Sequence, residues 1–246
     1  MKITFLGTSH GVPSAERFCT SLMVEVREKI YLLDAGAPIS DLLRRKERAL
    51  EAVRAIFITH GHGDHIGGLP GFLSLSNWHD KQVRVKTYLP DPKLLQEVPA
   101  YIEATDLKPL DQERLPLYLA KEGVVYEDEA IRVSYIKTAH LPYSYAILVE
   151  GEGKKFLFTG DLSHGLAKDD FPKIAMEQPL DVIVCEMAHF GAEEIQPYLE
   201  KIDVKQFWFT HVNHVETGEK FDAIRKMQGK YPYPVYIAKD NDEIHL

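Results

Sequence analysis

His60-Gly61-His62-Gly63-Asp64-His65 places four potential metal ligands within six consecutive positions. The hexapeptide follows Ala55–Thr59, an apolar, β-branched run typical of a buried strand, and it precedes Ile66–Leu73, where a helix can begin. The ligands are therefore predicted to lie on a loop between a strand and a helix. His60 and His62 can converge on one ion while Asp64 and His65 point to a second, because the two glycines let the backbone turn without a Cβ clash.

A histidine-rich segment can also be a purification tag or a solvated surface run. This one lies in the middle of the chain, alternates with glycine, includes an acid and directly follows an apolar run, which favours a metal-binding loop. Such a short loop cannot fill the coordination spheres of two ions. Further ligands are therefore expected at the ends of other strands.

Three later strand-like segments are each followed by a candidate ligand. They are Ile131–Ile136 before His140, Lys155–Thr159 before Asp161, and Gln206–Thr210 before His211. Taken singly, an aspartate after a glycine is commonly a turn former and a lone histidine is commonly a surface residue. Together the three complete a set of ligands with the hexapeptide.

With these residues the chain resembles the metallo-β-lactamase superfamily, from Lys2 to about His245. That superfamily carries a His-x-His-x-Asp-His loop, a later histidine, a later Gly-Asp and a last histidine after a strand. The opening Phe5–Ser14, with Arg17 and the strand that ends Leu32–Gly36, is similar to the ribonuclease Z branch and its relatives, which include small-molecule cyclic phosphodiesterases. The resemblance implies an α/β fold, a four-layer αββα sandwich.

The resemblance also implies two divalent metal ions, zinc in the first place, with manganese or iron as alternatives. One ion would be held by His60, His62 and His140. The other would be held by Asp64, His65 and His211. Asp161 would bridge the two ions, and Asp34 would be a structural aspartate that closes the first strand unit beneath the site.

The segment Cys185–Glu194 is similar, in altered form, to two short ribonuclease Z segments whose Glu and His are thought to help proton transfer to the leaving group. Glu186 fits the first segment and His189 the second, although they stand only three residues apart here. Ala188 replaces the threonine of the family. The alternative is that Glu186 is an acid at a helix N-terminus and His189 a neighbour of the cap.

Charge argues against a large nucleic-acid partner. The chain has 29 Lys and Arg against 37 Asp and Glu, a net charge of −8, which opposes binding to polyanions. Between Asp161 and Glu186 there is no room for the long basic arm with which tRNA-processing relatives grip tRNA, so binding of a full tRNA is doubtful. Basic clusters at residues 44–48 and 81–86 are interpreted as solvated faces, with RNA contact as the alternative.

The order of predicted elements supports the same fold. A length of 246 residues with 45% hydrophobic content suits one domain over residues 1–246. Two packed sheets with helices on both outer faces accommodate the pattern. Strands are predicted at 2–6, 20–26, 29–33, 54–59, 83–88, 123–126, 130–136, 144–149, 154–159, 181–185, 205–210 and 234–237, and helices at 39–50, 66–76, 91–104 and from about 191 and 217.

The expected cellular compartment follows from the search for targeting and membrane-spanning segments. No signal peptide and no segment long enough to span a membrane is visible, and Cys19 and Cys185 lie in or beside apolar runs, as buried free thiols do. We expect a cytoplasmic protein without membrane contact. A homodimer remains open, with Tyr231–Pro234 as a candidate contact.

The predicted chemistry is hydrolysis. Two ions about 3.5 to 4 Å apart share a water, lower its pKa towards neutrality and hold it as a bridging hydroxide. This suits a small or single-stranded phosphodiester, with Asp64 accepting the proton of the nucleophile and His189 or Glu186 serving the leaving alkoxide. Tyr143, His164 and His214 are candidates for orienting substrate, with surface or supporting residues as the alternative.

Two other functions remain open. A thioester or lactone hydrolase would use the same hydroxide on an acyl carbon. A non-hydrolytic iron redox protein would need an iron pair and oxygen-linked chemistry.

Overall fold

The computed structural model describes residues 1–213 and 219–246, with the backbone alone at residues 219–221. It contains two seven-stranded sheets. The first has the order β14-β1-β2-β3-β4-β5-β6 and consists of Lys2–Gly7 (β1), Ser21–Val26 (β2), Lys29–Leu33 (β3), Val53–Phe57 (β4), Lys86–Leu89 (β5), Leu117–Leu119 (β6) and Glu243–His245 (β14). Strands β14 to β3 pair antiparallel, and β3 to β6 pair parallel.

The second sheet repeats this arrangement. It has the order β13-β12-β11-β10-β9-β8-β7 and consists of Gly123–Glu127 (β7), Arg132–Lys137 (β8), Tyr145–Gly151 (β9), Lys154–Phe158 (β10), Leu180–Glu186 (β11), Val204–Thr210 (β12) and Val235–Ile237 (β13). Strands β7 to β10 pair antiparallel, and β10 to β13 pair parallel. The two halves therefore share a topology, although no sequence repeat is visible.

Side chains that alternate along the strands divide the buried hydrophobic residues into three layers. Phe5 and Phe156 lie in the core that joins the two sheets, while their neighbours Leu6 and Leu157 pack under the outer helices of their own sheets. Successive side chains of a strand point to opposite faces, so a strand buried on both sides reads as a continuous apolar run. This explains why the sequence of most central strands is apolar throughout.

Helices cover both outer faces, which confirms the four-layer αββα sandwich. Those on the first sheet are Ile39–Arg45 (α1), Gly63–Ile66 (α2), Leu69–Trp78 (α3) and Leu94–Asp106 (α4), and those on the second are Ile174–Glu177 (α5), Ala192–Leu199 (α6) and Glu219–Arg225 (α7). Among the described residues no helix has the length and apolar character needed to cross a membrane. The single domain over residues 1–246 stays a prediction.

Two predicted helices were wrong in extent. The helix predicted at 39–50 ends at Arg45, because Glu47 adopts a left-handed backbone (φ 57°) and a 3-10 turn follows at Leu50–Ala52. The helix predicted at 66–76 is instead α2 and α3, separated at Gly67 and Gly68. A Cβ on Gly68 would lie 1.9 Å from the carbonyl oxygen of Ala37, so the chain passes there too closely for a side chain.

Some strands also differ from the prediction. The strand predicted from residue 83 begins at Lys86, and β6 and β14, of three residues each, were not predicted. The hairpin between β9 and β10 is confirmed with a tighter turn than expected. Its two turn residues, Glu152 and Gly153, have φ of 53° and 72°, the left-handed pair that matches the twist of a hairpin.

The basic clusters and the cysteines can now be placed. Arg44 bonds to Asp80 at 2.7 Å and Arg48 to Glu25 at 2.6 Å, so these cations are engaged within the protein. Within residues 81–86, Arg84 and Lys86 are exposed while Val83 and Val85 are buried. Both cysteines are free thiols, but only Cys185 is buried, whereas Cys19 is half-buried, so the expectation of two buried thiols was wrong for Cys19.

We predict that Gly36→Ala destabilises the protein. A Cβ at this position would lie 1.7 Å from the carbonyl oxygen of Asp64, so the chain after β3 must move away from the ligand loop. We expect the free energy of unfolding, measured by urea denaturation, to fall by about 1 to 3 kcal/mol. The control is Gly71→Ala in α3, where a Cβ meets no atom within 4 Å. This change should be stabilising by about 0.5 to 1 kcal/mol, and equal losses in both variants would contradict the prediction.

Candidate metal centre

The seven predicted ligands come together at one edge of the sandwich, past the carboxyl ends of the strands. The hexapeptide 60–65 follows β4, and the other three ligands follow strands of the second sheet, namely His140 after β8, Asp161 after β10 and His211 after β12. Both sheets therefore contribute ligand atoms. Because parallel strands end at the same edge, residues far apart in the sequence meet there.

The first group of ligand atoms belongs to His60, His62, His140 and Asp161. The nitrogen Nδ1 of His62 lies 3.0 Å from Nε2 of His60 and 3.3 Å from Nε2 of His140. Oδ2 of Asp161 lies 3.6 Å from Nε2 of His60 and 3.8 Å from Nε2 of His140. Three ring nitrogens and a carboxylate oxygen that face one point form a donor set that suits a divalent transition metal.

The second group consists of Asp64, His65 and His211. Oδ2 of Asp64 lies 3.7 Å from Nε2 of His65 and 3.8 Å from Nε2 of His211. Asp161 also reaches this group, since its Oδ1 lies 3.2 Å from Nε2 of His65 and its Oδ2 lies 3.4 Å from Nε2 of His211. Asp161 thus lies between the two groups, within ligand distance of both.

Two buried atoms in the centre support the fit of a cation. Nε2 of His65 and Oδ1 of Asp161 are shielded from solvent, and neither makes a hydrogen bond of acceptable geometry with the described residues, although they lie 3.2 Å apart. Buried polar atoms without a partner are costly. A metal ion that both atoms bind would remove this cost, so the residues present fit the implied ions.

Contacts behind the ligands fix the orientation of their rings. Asp34, which is fully buried, accepts from Nδ1 of His65 at 2.7 Å and from the backbone amide of Thr59 at 2.7 Å. Nδ1 of His211 lies 2.8 Å from the hydroxyl of Thr20, and Nδ1 of His140 lies 3.2 Å from the carbonyl of Leu162. Partners of this kind leave the opposite ring nitrogen free for a metal.

The electrostatics of the histidines also suit metal binding. Burial, together with the nearby His65, lowers the pKa of His211 to about 3, and burial lowers the pKa of His140 to about 4. Both rings are therefore neutral near pH 7, the form that binds metals. Burial also lowers the pKa of His65, but Asp161 and Asp34 outweigh burial and raise this pKa well above its ordinary value. The two carboxylates beside the His65 ring thus favour positive charge at this ring.

Glu186 and His189 form a pair beside the ligands. Glu186 ends β11 and is fully buried, and its Oε1 lies 2.9 Å from Nδ1 of His189. The same carboxylate accepts from the amides of Leu162 and Ala188, both at 2.8 Å. The position of Glu186 within the strand contradicts the alternative of an acid at a helix N-terminus. Nδ1 of His189 lies 3.8 Å from Oδ2 of Asp161, which places the pair at the edge of the centre.

Burial acts in opposite directions on the pKa values of Glu186 and His189. Burial raises the pKa of Glu186, and the nearby Asp161 adds to the rise. Burial lowers the pKa of His189, but the hydrogen bond to Glu186, the charge of Glu186 and the charge of Asp161 together outweigh burial and raise this pKa above its ordinary value. Since Glu186 occupies Nδ1, the His189 side chain has Nε2 available to donate a proton.

The three candidates for orienting substrate differ in position. The exposed ring of His164 lies 4.8 Å from the ring of His189, centroid to centroid. Tyr143 is 45% exposed and lies on the same loop as His140. His214 lies outside the described residues.

The sequence did not reveal all the residues that shape the centre. The hydroxyls of Thr20 and Thr59 contact the rings of two ligands. In the sequence, the only feature that pointed to these threonines was their position beside strands. The reason given for two glycines was also wrong. Gly61 and Gly63 do not adopt left-handed backbones, and a Cβ at Gly63 would meet nothing within 4 Å. The close passage of the chain instead requires glycine at Gly36.

Among known proteins, some resemble part of this chain in sequence. Ribonuclease Z of Rippkaea orientalis is 35% identical over 136 residues, which cover 54% of this chain and 42% of that protein. Ribonuclease Z of a Synechococcus species is 32% identical over 170 residues, which cover 68% of this chain and 54% of that protein. The chain thus spans about half the length of the curated relatives it matches.

Solved structures resemble the whole chain. The metallo-beta-lactamase fold protein YhfI from Bacillus subtilis has a TM-score of 0.77 at 18% identity and covers 99% of this chain and 98% of its own. The short form of human tRNase Z has a TM-score of 0.75 at 21% identity, covering 100% and 99%. A diphosphatase of the PhnP family has a TM-score of 0.71 at 19% identity, covering 100% and 97%. At these identities the likeness shows the fold.

The family itself follows from the sequence match. The profile of the metallo-beta-lactamase superfamily matches residues 15–230, which include the hexapeptide 60–65 and the three later ligand positions. The chain belongs to the metallo-beta-lactamase superfamily.

Proposed function

We propose that this chain is a metal-dependent hydrolase that cleaves a phosphodiester. The observation that carries the proposal is the position of Asp161, between two groups of ligand atoms and 3.8 Å from the His189 ring. Hydrolysis of a phosphodiester needs a nucleophile, neutralisation of negative charge and a proton for the leaving oxygen. The residues around Asp161 have chemistry that suits each need.

Two divalent ions would be held at the centre, zinc in the first place and manganese or iron as alternatives. His60, His62 and His140 would hold one ion, Asp64, His65 and His211 the other, and Asp161 both. When bound, such ions supply a water of lowered pKa and neutralise charge on the phosphoryl oxygens.

The protein's own groups would move the protons. Glu186 holds Nδ1 of His189 and favours its protonated form, so that Nε2 can donate a proton to the leaving oxygen. Asp64 lies beside the segment after β1, since a Cβ on Gly11 would lie 3.4 Å from its Oδ2. In this position Asp64 would accept the proton of the attacking water. His164, against the ring of His189, would help to orient the leaving group.

The substrate would be small or single-stranded. The net charge of −8 weakens attraction to a large polyanion. Between Asp161 and Glu186 the structure has only a 3-10 segment, the short helix α5 and strand β11, so no arm extends from this part of the chain. The relatives named ribonuclease Z favour a phosphodiester as the target. The cytoplasmic location and a homodimer stay predictions.

An acyl hydrolase is the second candidate, because the same ligand set can serve attack on a thioester or lactone carbon. Parallel assays on bis-p-nitrophenyl phosphate and on acyl esters separate the two. The Glu186–His189 pair favours the phosphodiester over a thioester, since an alkoxide leaving group profits from a proton more than a thiolate does. A lactone also releases an alkoxide, so the parallel assays separate a lactone from a phosphodiester. Iron content together with no turnover of either ester class would point instead to the redox alternative.

We expect Asp161→Ala to remove one or both ions and nearly all hydrolysis of bis-p-nitrophenyl phosphate. The loss should exceed about 100-fold, because residues that merely support ligands already cost 10- to 100-fold when changed. Metal analysis and initial rates measure the effect. Asp41→Ala, which removes an exposed carboxylate on α1, is the control and should retain both. An unchanged metal content in Asp161→Ala would remove this residue from the centre.

We expect His189→Ala to act selectively on poor leaving groups. Hydrolysis of an alkyl phosphodiester should slow by about 100-fold or more, because the alkoxide then departs without a proton, while release of p-nitrophenolate should slow by less than about 10-fold. The matched control is His164→Ala, which removes a histidine in contact with the same ring and should affect both substrates alike. Equal losses for both substrates in His189→Ala would show that this residue orients substrate.

A further inference from the structure

Two of the ligands on loops, His140 and Asp161, follow strands of the second sheet. Loop 138–144 joins β8 to β9 and carries His140, and loop 159–163 follows β10 and carries Asp161. Both ligands belong to the first group, with His60 and His62. The geometry of this group therefore depends on how the two loops are held relative to each other.

The carboxylate of Asp170 contacts both loops. Its Oδ1 accepts from the amide of Ala139 at 2.6 Å, and its Oδ2 accepts from the amide of Ser163 at 2.7 Å. Ala139 directly precedes His140, and Ser163 lies two residues after Asp161. Asp170 itself is buried. Short bonds from backbone amides to a carboxylate are among the stronger hydrogen bonds, so one side chain connects the backbones beside two ligands.

Lys137 also bonds to loop 138–144. Its Nζ donates to the carbonyls of Thr138 at 2.7 Å, Leu141 at 3.0 Å and Ser144 at 3.2 Å. Burial lowers the pKa of Lys137, and the attraction of Asp170 opposes that effect. Lys137 and Asp170 thus satisfy part of the polar backbone of this loop, and Ser144 within the loop satisfies another part, since its hydroxyl accepts from the amide of Leu141 at 2.9 Å.

The chain takes an unusual path to bring Asp170 to this position. Leu166, Lys168 and Asp169 adopt left-handed backbones, with φ of 50°, 61° and 58°. Such conformations persist in non-glycine residues only when the surroundings enforce them. Here the amide of Gly165 donates to the carbonyl of His189 at 2.9 Å, and the hydroxyl of Tyr198 donates to Asp169 at 2.6 Å.

We propose that Asp170 is a positioning residue that sets the separation of His140 and Asp161 and thereby the affinity of the first ligand group for its ion. The inference rests on the proposed metal centre. It assigns a role to a residue that touches neither an ion nor the reacting atoms.

The test compares two adjacent aspartates. Asp170→Asn keeps the shape of the side chain and one acceptor but turns an amide nitrogen towards the second backbone N–H, and Asp170→Ala removes both acceptors. Asp169→Asn is the matched control, because Asp169 is exposed and the asparagine keeps an oxygen that can accept from the hydroxyl of Tyr198. Zn²⁺ is titrated into each metal-free protein by calorimetry, and backbone amide exchange is measured at residues 139 and 163.

We expect wild type and Asp169→Asn to bind two Zn²⁺ ions with similar affinities. Asp170→Asn should weaken one of the two sites by about 10- to 100-fold, and Asp170→Ala should weaken it further. Exchange at residues 139 and 163 should accelerate in the Asp170 variants before any metal is added. A role in general stability alone would lower the melting temperature and leave the Zn²⁺ affinities unchanged.

The result that would contradict the positioning role of Asp170 differs from the result that would contradict the metal centre. If wild type binds two ions and the Asp170 variants bind them as Asp169→Asn does, the positioning role is wrong while the metal centre stands. If wild type binds no Zn²⁺, the proposed centre fails, and the positioning role fails with it. Should Asp170→Ala not fold, Asp170→Asn, which preserves the shape of the side chain, decides the question.

Discussion

The buried carboxylate of Asp34 is the constraint on which the ligand loop depends. It accepts from the amide of Thr59 at 2.7 Å, from the hydroxyl of Thr59 at 2.9 Å and from Nδ1 of His65 at 2.7 Å. These bonds join the end of β3 to the end of β4 and to helix α2. Burial raises the pKa of Asp34, and the bonds from His65 and Thr59 oppose that rise. A buried carboxylate without such partners would be strongly destabilising, so its surroundings must keep this geometry.

The ligands themselves could be predicted from the sequence, whereas most of their supports could not. A ligand such as His140 or His211 has a local signal, because a histidine stands within a few residues of the end of a strand-like segment. A residue that supports a ligand has no local signal, since its role depends on a contact with a residue far away in the sequence. Thr20 lies 191 positions from the His211 ring that it contacts, and Asp170 lies 31 positions from the amide of Ala139. Nothing near these residues in the sequence marks the pairing.

The same distinction explains the errors in the predicted elements. Long central strands were predicted because they are apolar on both faces. Strands β6 and β14 have three residues each, and they form because a neighbouring strand offers an edge. The break between α2 and α3 likewise arises from close passage of Gly68 against Ala37, and a periodic apolar pattern does not reveal it. Local pattern thus identified the fold, and long-range contact set its details.

Because each sheet supplies part of the centre, the relation between the sheets determines the geometry of the ligands. Hydrogen bonds cross between the sheets next to the ligand positions. The amide of Tyr145 donates to the carbonyl of Thr59 at 3.1 Å, directly before His60, and the amide of Val212 donates to the carbonyl of Thr8 at 2.7 Å, directly after His211. In addition, the buried hydroxyl of Tyr135 donates to the carbonyl of Ile58 at 3.1 Å.

These bonds between the sheets limit how far the packing of the core can change the positions of the ligands. A core between sheets can shift by small repacking when a side chain changes size. Such a shift would move His60 relative to His211, since they follow strands of different sheets. Backbone bonds beside both residues oppose that movement where it would matter most. Substitutions deep in the shared core, at Phe5 or Phe156, should therefore affect stability more than ligand geometry, because the ligand edge is held by its own bonds.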